Sequence, residues 1–182
     1  MNLFADVDME RSATFSPCRL YRYTLVRVWD HNLPRLLWIL LNPSTADAEK
    51  DDPTNRKGIK FSQRWSFGSC VFVNLFAFRS PHPRVMKAAP DPVGVMNDSV
   101  ILEQARLADR IVVAWGNDGA HRGRASEVLK LLGDSPTLWC LKLNKTGEPF
   151  HPLYARDAMG LVRFVDRNLA IDKAPSGPMQ DS

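Results

Sequence analysis

The sequence predicts a three-layer α/β/α domain with a mostly parallel central sheet and an antiparallel edge strand on its N-terminal side. Two observations carry that expectation. Four short apolar runs, residues 36–41, 70–73, 111–114 and 137–141, are partly β-branched or aromatic and bounded by turn residues, as buried parallel strands are. Between them, residues 53–65, 96–109 and 124–132 carry apolar side chains at helical spacing and are long enough for crossover helices. Strands alternating with helices build a sheet covered on both faces. The crossovers then bring every parallel strand's carboxyl end to one edge, where ligands bind.

The elements follow in order. Residues 1–17 read as a polar leader without an apolar signal-like region. From 18 to 29 the residues alternate, with Leu20, Thr24, Val26 and Val28 opposite Arg19, Tyr21, Tyr23 and Arg27, which predicts a half-exposed strand. Asp30-His31-Asn32 supplies turn chemistry before the first buried strand, so an antiparallel edge hairpin is expected there. Residues 77–95 hold Pro81, Pro83, Pro90, Pro92 and Gly94 and predict a long loop, of the kind that usually serves function. The tail, 171–182, has Pro175, Gly177 and Pro178 and little to bury, and disorder is expected. With 182 residues and 45% apolar content the chain is long enough for one sizeable core, so residues 18–170 are read as a single domain.

Charge and cysteine usage narrow the classes. The net charge of +4 favours nucleic acid only weakly, but the basic residues cluster in loops: Arg56, Lys57, Lys60 and Arg64; Arg79 and Arg84; Arg122 and Arg124; Lys142 and Lys145. Cys18, Cys70 and Cys140 stand singly, which supports neither a disulfide framework nor a zinc site. No apolar run approaches the length that spans a bilayer. A cytoplasmic monomer with no metal and no cofactor is expected.

Chemistry-bearing residues fall at the predicted strand ends. Pro43 removes a donor and pushes Asn42 into an extended conformation, which presents the amide at the strand end to a water or a carbonyl, or lets it cap local backbone. Asp47, Asp51 and Asp52 add carboxylates that either orient a water or form an acidic first turn before Pro53. In Gly58-Ile59-Lys60-Phe61-Ser62, Phe61 offers a ring face to a flat ligand or joins Trp65 in a core stripe. Asn74 ends a buried strand, where an amide needs partners, and a nucleobase edge is one such partner. Trp115-Gly116 closes the next run, and glycine permits close approach of a ligand. His151, held by Pro152, is placed to donate to a carbonyl that gains negative charge.

Taken in order, these motifs resemble the uracil-DNA glycosylase superfamily over about residues 35–154. The strings Leu41-Asn42-Pro43-Ser44-Thr45-Ala46-Asp47, Asn74-Leu75-Phe76-Ala77 and His151-Pro152-Leu153-Tyr154 also resemble an uncharacterised bacterial and phage domain family. The first resemblance implies the fold of that superfamily and a monofunctional DNA glycosylase acting on a flipped-out base. Asn42 would hold the attacking water, as in the mismatch-specific branch, with Asp47 as a candidate for its activation. His151 would stabilise the departing base. Phe61 would stack on that base, Asn74 would read its edge, and Trp115-Gly116 matches a strand-end signature. Leu153 or Tyr154 would fill the vacated stack, while Arg56, Lys60, Arg84, Arg122 and Lys145 would grip DNA phosphates. The absence of a carboxylate at 42 and the bulk of Tyr154 depart from the uracil enzymes, so the base expected is a modified or damaged pyrimidine, a hypermodified phage base removed in phage defence, or uracil itself. The rivals are a non-catalytic nucleic-acid-binding domain and a hydrolase or transferase of free nucleosides.

Overall fold

Seven strands form one mixed sheet in the computed structural model, which describes residues 9–134 and 136–166. They are β1 (Glu10–Phe15), β2 (Arg22–Val28), β3 (Arg35–Leu40), β4 (Ser69–Asn74), β5 (Arg110–Val113), β6 (Leu138–Cys140) and β7 (Val162–Arg163), in spatial order β1-β2-β4-β3-β5-β6-β7. The helices are α1 (Pro53–Arg64), α2 (Pro83–Ala88), α3 (Asn97–Leu107) and α4 (Arg124–Leu132). The four apolar runs form the central parallel quartet β4-β3-β5-β6, and the three other pairings are antiparallel.

The N-terminal side departs from expectation in three ways. Glu10–Phe15 is not leader but the edge strand β1, and the hairpin joins β1 to β2 rather than β2 to β3. The polar composition of β1 hid it, since it lies largely exposed at the sheet edge. The connection after β2 crosses the start of β4, where Trp29 N and Asp30 N both donate to Gly68 O and Gly68 N donates to Pro34 O. That crossing sets β3 down on the far side of β4. A Cβ at Gly68 would lie 1.9 Å from the Asp30 carbonyl oxygen, so the crossing requires glycine. Finally, β2 is buried rather than half-exposed, and Arg22 and Arg27 are almost fully covered. The Arg27 guanidinium pairs with Asp51 (2.8 Å) and donates to Asp47 O (2.8 Å), pinning the segment 43–52 over the strand. In the 77–95 loop, α2 forms with Pro83 in its first turn. The predicted tail, 171–182, lies outside the described residues.

The period-two alternation of strands divides the core. Leu36, Trp38 and Leu40 of β3 face Ile59 and Phe61 of α1, while Leu37 and Ile39 face Ile101 of α3 and Val128 and Leu129 of α4. Helices therefore cover both faces. Because α1 crosses one face and α3 and α4 the other, the connections diverge on either side of β3. A crevice opens at the carboxyl ends of β3 and β5, the topological switch point.

The Gly58 to Ser62 string is explained by packing. A Cβ at Gly58 would lie 2.5 Å from the Phe72 ring, so α1 rides unusually close to the sheet. Ser62 Oγ donates to Gly58 O (2.7 Å) and accepts from Trp38 Nε1 (3.0 Å). Gly58→Ala should lower stability despite alanine's helix-propensity gain of up to ~1 kcal/mol, because overpacking costs about 1–3 kcal/mol. Urea denaturation checks this; an unchanged or higher midpoint would show that the helix has room.

Candidate functional site

A cleft of about 620 Å³ occupies the switch point. Asn42 enters it from the end of β3, Asp52 and Thr54 from the start of α1, Trp115 and Gly116 from the end of β5, and Phe150, His151, Leu153 and Tyr154 from the loop after β6. Of the residues expected at one site, Asn42, Trp115, Gly116, His151, Leu153 and Tyr154 come together here.

Asn42 is half-buried, and its Nδ2 donates to Ser80 O (2.8 Å) and Pro43 O (3.1 Å). With the nitrogen committed, Oδ1 is left as the acceptor on this amide. His151 opens a single 3₁₀ turn over Pro152–Tyr154, and its Nδ1 accepts from Leu153 N (3.3 Å). Burial pushes the imidazole down to about 4, with the charge of Asp52 opposing that shift. The ring is therefore neutral near pH 7, and with Nδ1 accepting, the proton sits on Nε2. Gly116 carries φ +73°, in the left-handed region that favours glycine, and a Cβ there would meet His151 Cβ at 3.4 Å. The Trp115 indole is buried, donates through Nε1 to Glu148 (2.5 Å) and packs edge-on against Phe164. Burial holds the Glu148 carboxyl above the ordinary range. Trp115 thus builds the floor of the cleft and does not offer its ring to a ligand. At the rim, Leu153 is 39% and Tyr154 73% exposed.

Three other residues fall elsewhere. Asn74 pairs with Leu40 in the β3–β4 register, so it lies two positions deeper than Asn42; it is 1% exposed and does not line the cleft. Neither of its amide atoms has a hydrogen-bond partner among the described residues. Phe61 is 2% exposed and stacks on Trp65 (5.0 Å), which makes it core rather than a base platform. Asp47 accepts from Glu49 N (2.9 Å) and Lys50 N (2.8 Å) in a local turn outside the cleft.

The phosphate-gripping candidates divide. Lys60 is tied to Asp157 (2.8 Å), whose carboxyl is pulled down to about 2 by hydrogen bonds from Lys57 and Lys60. Arg122 donates to Ala89 O (3.2 Å), and Arg56 caps the Asp51 carbonyl (2.5 Å). Arg84 and Lys145 are exposed and have no partner among the described residues. Sequence reading passed over Phe150, an aromatic in the cleft with Lys142 Nζ 4.0 Å from its ring centre, and did not single out Asp52 from its neighbours.

The imidazole makes stability depend on pH with a definite sign. The folded-state value of about 4 lies below the ordinary 6.5, so as pH falls the unfolded chain takes up this proton first. Stability is full above 6.5 and declines toward 4, by up to about 3 kcal/mol at 1.36 kcal/mol per unit. His151→Gln should shrink the difference between urea midpoints at pH 7 and pH 4.5. An unchanged difference would place the titration on other groups.

Fold and cleft together define the class: an α/β protein with a crevice of mixed polar and apolar lining at the switch point of its sheet. The chain belongs to the family described as "Protein of unknown function (DUF1643)", whose model matches residues 22–153, from the first residue of β2 through Leu153 of the cleft rim. No curated protein and no solved structure matches the chain.

Proposed function

We propose that this cleft hydrolyses the N-glycosidic bond of a modified pyrimidine extruded from DNA, on a uracil-DNA glycosylase-like fold. The observation that carries the reading is that one cleft brings together a buried imidazole whose Nδ1 is committed, leaving Nε2–H to donate, and an amide whose Nδ2 is committed, leaving Oδ1 to accept. Departure of a base as an anion needs a donor aimed at its carbonyl, and the attacking water needs an acceptor. His151 fills the first role and Asn42 the second. Leu153 or Tyr154, exposed at the rim, would enter the gap left in the duplex. Phe150 or Tyr154 takes the stacking role that the burial of Phe61 denies it.

The volume of about 620 Å³ lies within the range of whole small-molecule sites, about 300–1,000 Å³. It is roomier than an unmodified pyrimidine needs. Asn117, Asp118 and Asn144 line it as well; Asn117 Oδ1 already accepts from Asn144 Nδ2 (2.8 Å) and Asp118 pairs with Lys87, which leaves Asn117 Nδ2 and Asn144 Oδ1 for a substituent. This favours a hypermodified base, and removal of such bases from phage DNA would serve defence.

The test is alkali-labile site formation in duplexes carrying uracil, thymine mismatches, hydroxymethylated or glucosylated pyrimidines. Abasic sites made by the wild type and lost in Asn42→Ala support the reading. Tight binding with no release from any duplex would leave a binding module.

A hydrolase of free nucleosides is the second reading, favoured by two carboxylates in the cleft, Asp52 and Asp118, and by the internal pairing of Lys60 and Arg122. Replacing Arg84 and Lys145 together by alanine separates the two. On the DNA reading, binding weakens across all sequences and the salt slope falls by about 2. Undiminished activity with the double variant would favour free nucleosides.

A further inference from the structure

Three aspartates lie within six residues on the segment leading into α1, and the structure gives each a different environment. Asp47 turns to the backbone of Glu49 and Lys50. Asp51 is held by Arg27 (2.8 Å) and Arg11 (2.7 Å). Asp52 alone of the three lines the cleft, and it is 7% exposed. The other carboxylate of the wall, Asp118, is ion-paired with Lys87 (2.6 Å) and its side chain is 43% exposed.

Asp52 is also fixed. Its Oδ1 accepts from Asn55 N (2.8 Å) as the cap of α1, and the Asn55 amide, with its nitrogen turned to the carboxylate, donates to both oxygens at 2.9 Å. A carboxylate has about four acceptor positions, so capacity remains for a water. Behind it lies the wholly buried guanidinium of Arg22, whose charge interacts with that of Asp52.

We propose that Asp52 is the catalytic carboxylate of this cleft: it stabilises positive charge on the sugar and takes the proton of the attacking water. The inference rests on the glycosylase reading and deepens it. As the bond from C1′ to the base nitrogen breaks, its electron pair leaves with the base and the sugar gains oxocarbenium character, as in other glycosidic cleavages. Water held by Asn42 Oδ1 adds its oxygen to C1′ and gives a proton to Asp52, which passes it to solvent. The base anion, held by the His151 Nε2–H, takes a proton from solvent. Asp52 thereby supplies the negative charge that position 42 lacks.

The rival role is capping alone. Asp52→Asn and Asp52→Ser separate the two, because asparagine and serine cap helices about as well as aspartate. The probes are duplexes with one of two abasic-site analogues, a neutral tetrahydrofuran or a cationic pyrrolidine, neither of which requires knowledge of the excised base. The wild type should prefer the cationic ring by about tenfold, the effect of one close charge pair. Both variants should lose that preference while remaining folded at the assay temperature and holding the neutral duplex as before. A preference that survives in either folded variant, or a wild type with none, overturns the role of Asp52 and leaves the glycosylase reading standing. A wild type that binds neither duplex removes both.

Discussion

His151→Ala should slow base release by about 10²–10³-fold, the usual loss for one donor to a developing oxyanion, with DNA affinity little changed. The loss is that large because the donor is preorganised. Nδ1 is committed to Leu153 N, which fixes the tautomer, and Gly116 lets the backbone after β5 pass close to the His151 Cβ. Burial keeps the imidazole neutral, so the wild-type rate should not show an inflection near 6.5 and should hold level down to about pH 5. Single-turnover kinetics from pH 4.5 to 8 would check both points. A rate governed by a group titrating near 6.5 would mean that His151 works as an acid, and the electrostatic role assigned to it would fail.

Asp51→Asn should be among the most destabilising single changes on the N-terminal half. Arg27 is fully buried, and its two strongest partners beyond its own strand are the Asp51 carboxylate and the Asp47 carbonyl. Removing one partner of a buried ion pair leaves an uncompensated charge and costs about 3–5 kcal/mol. The same ion pair holds the segment that carries Asn42 and Asp52, so activity should fall with stability. Replacing both partners by apolar residues, Arg27→Met with Asp51→Leu, should recover much of the loss, since an apolar pair of similar volume is often neutral or better. Urea midpoints for the single and double variants check this. A loss below about 1 kcal/mol for Asp51→Asn would place the pair among ordinary surface contacts.

The central sheet was legible because its signals are local: each parallel strand is a short apolar run, and α4 lies where its periodicity places it, over Arg124–Leu132. The N-terminal hairpin was not, because what sets β2 beside β4 is the crossing at Gly68, a contact between segments about forty residues apart. The same distinction runs through the cleft. Asn42 and Gly116 reach it because they lie just past the ends of β3 and β5, whereas His151, eleven residues beyond β6, is brought there by the fold-back of its loop, where Gly116 N donates to Pro149 O (2.9 Å). Asn74 and Phe61 look equivalent in sequence, but strand register buries one and the inner face of α1 the other. Nothing local distinguishes Asp47, Asp51 and Asp52; only the position of Arg27 on another strand and the start of α1 sort them into turn, ion pair and cleft wall. The basic residues behave likewise, for Lys60 is matched to Asp157, 97 positions away.

The most direct test of the central claim is to digest modified-pyrimidine duplexes in ¹⁸O-labelled water and follow both products by mass spectrometry. Hydrolysis at the glycosidic bond predicts a free pyrimidine without the label and an abasic sugar carrying one ¹⁸O at C1′, with both formed about 10²–10³-fold more slowly by His151→Ala. Release of no base from any duplex, or label found only in phosphate after strand cleavage, would contradict it.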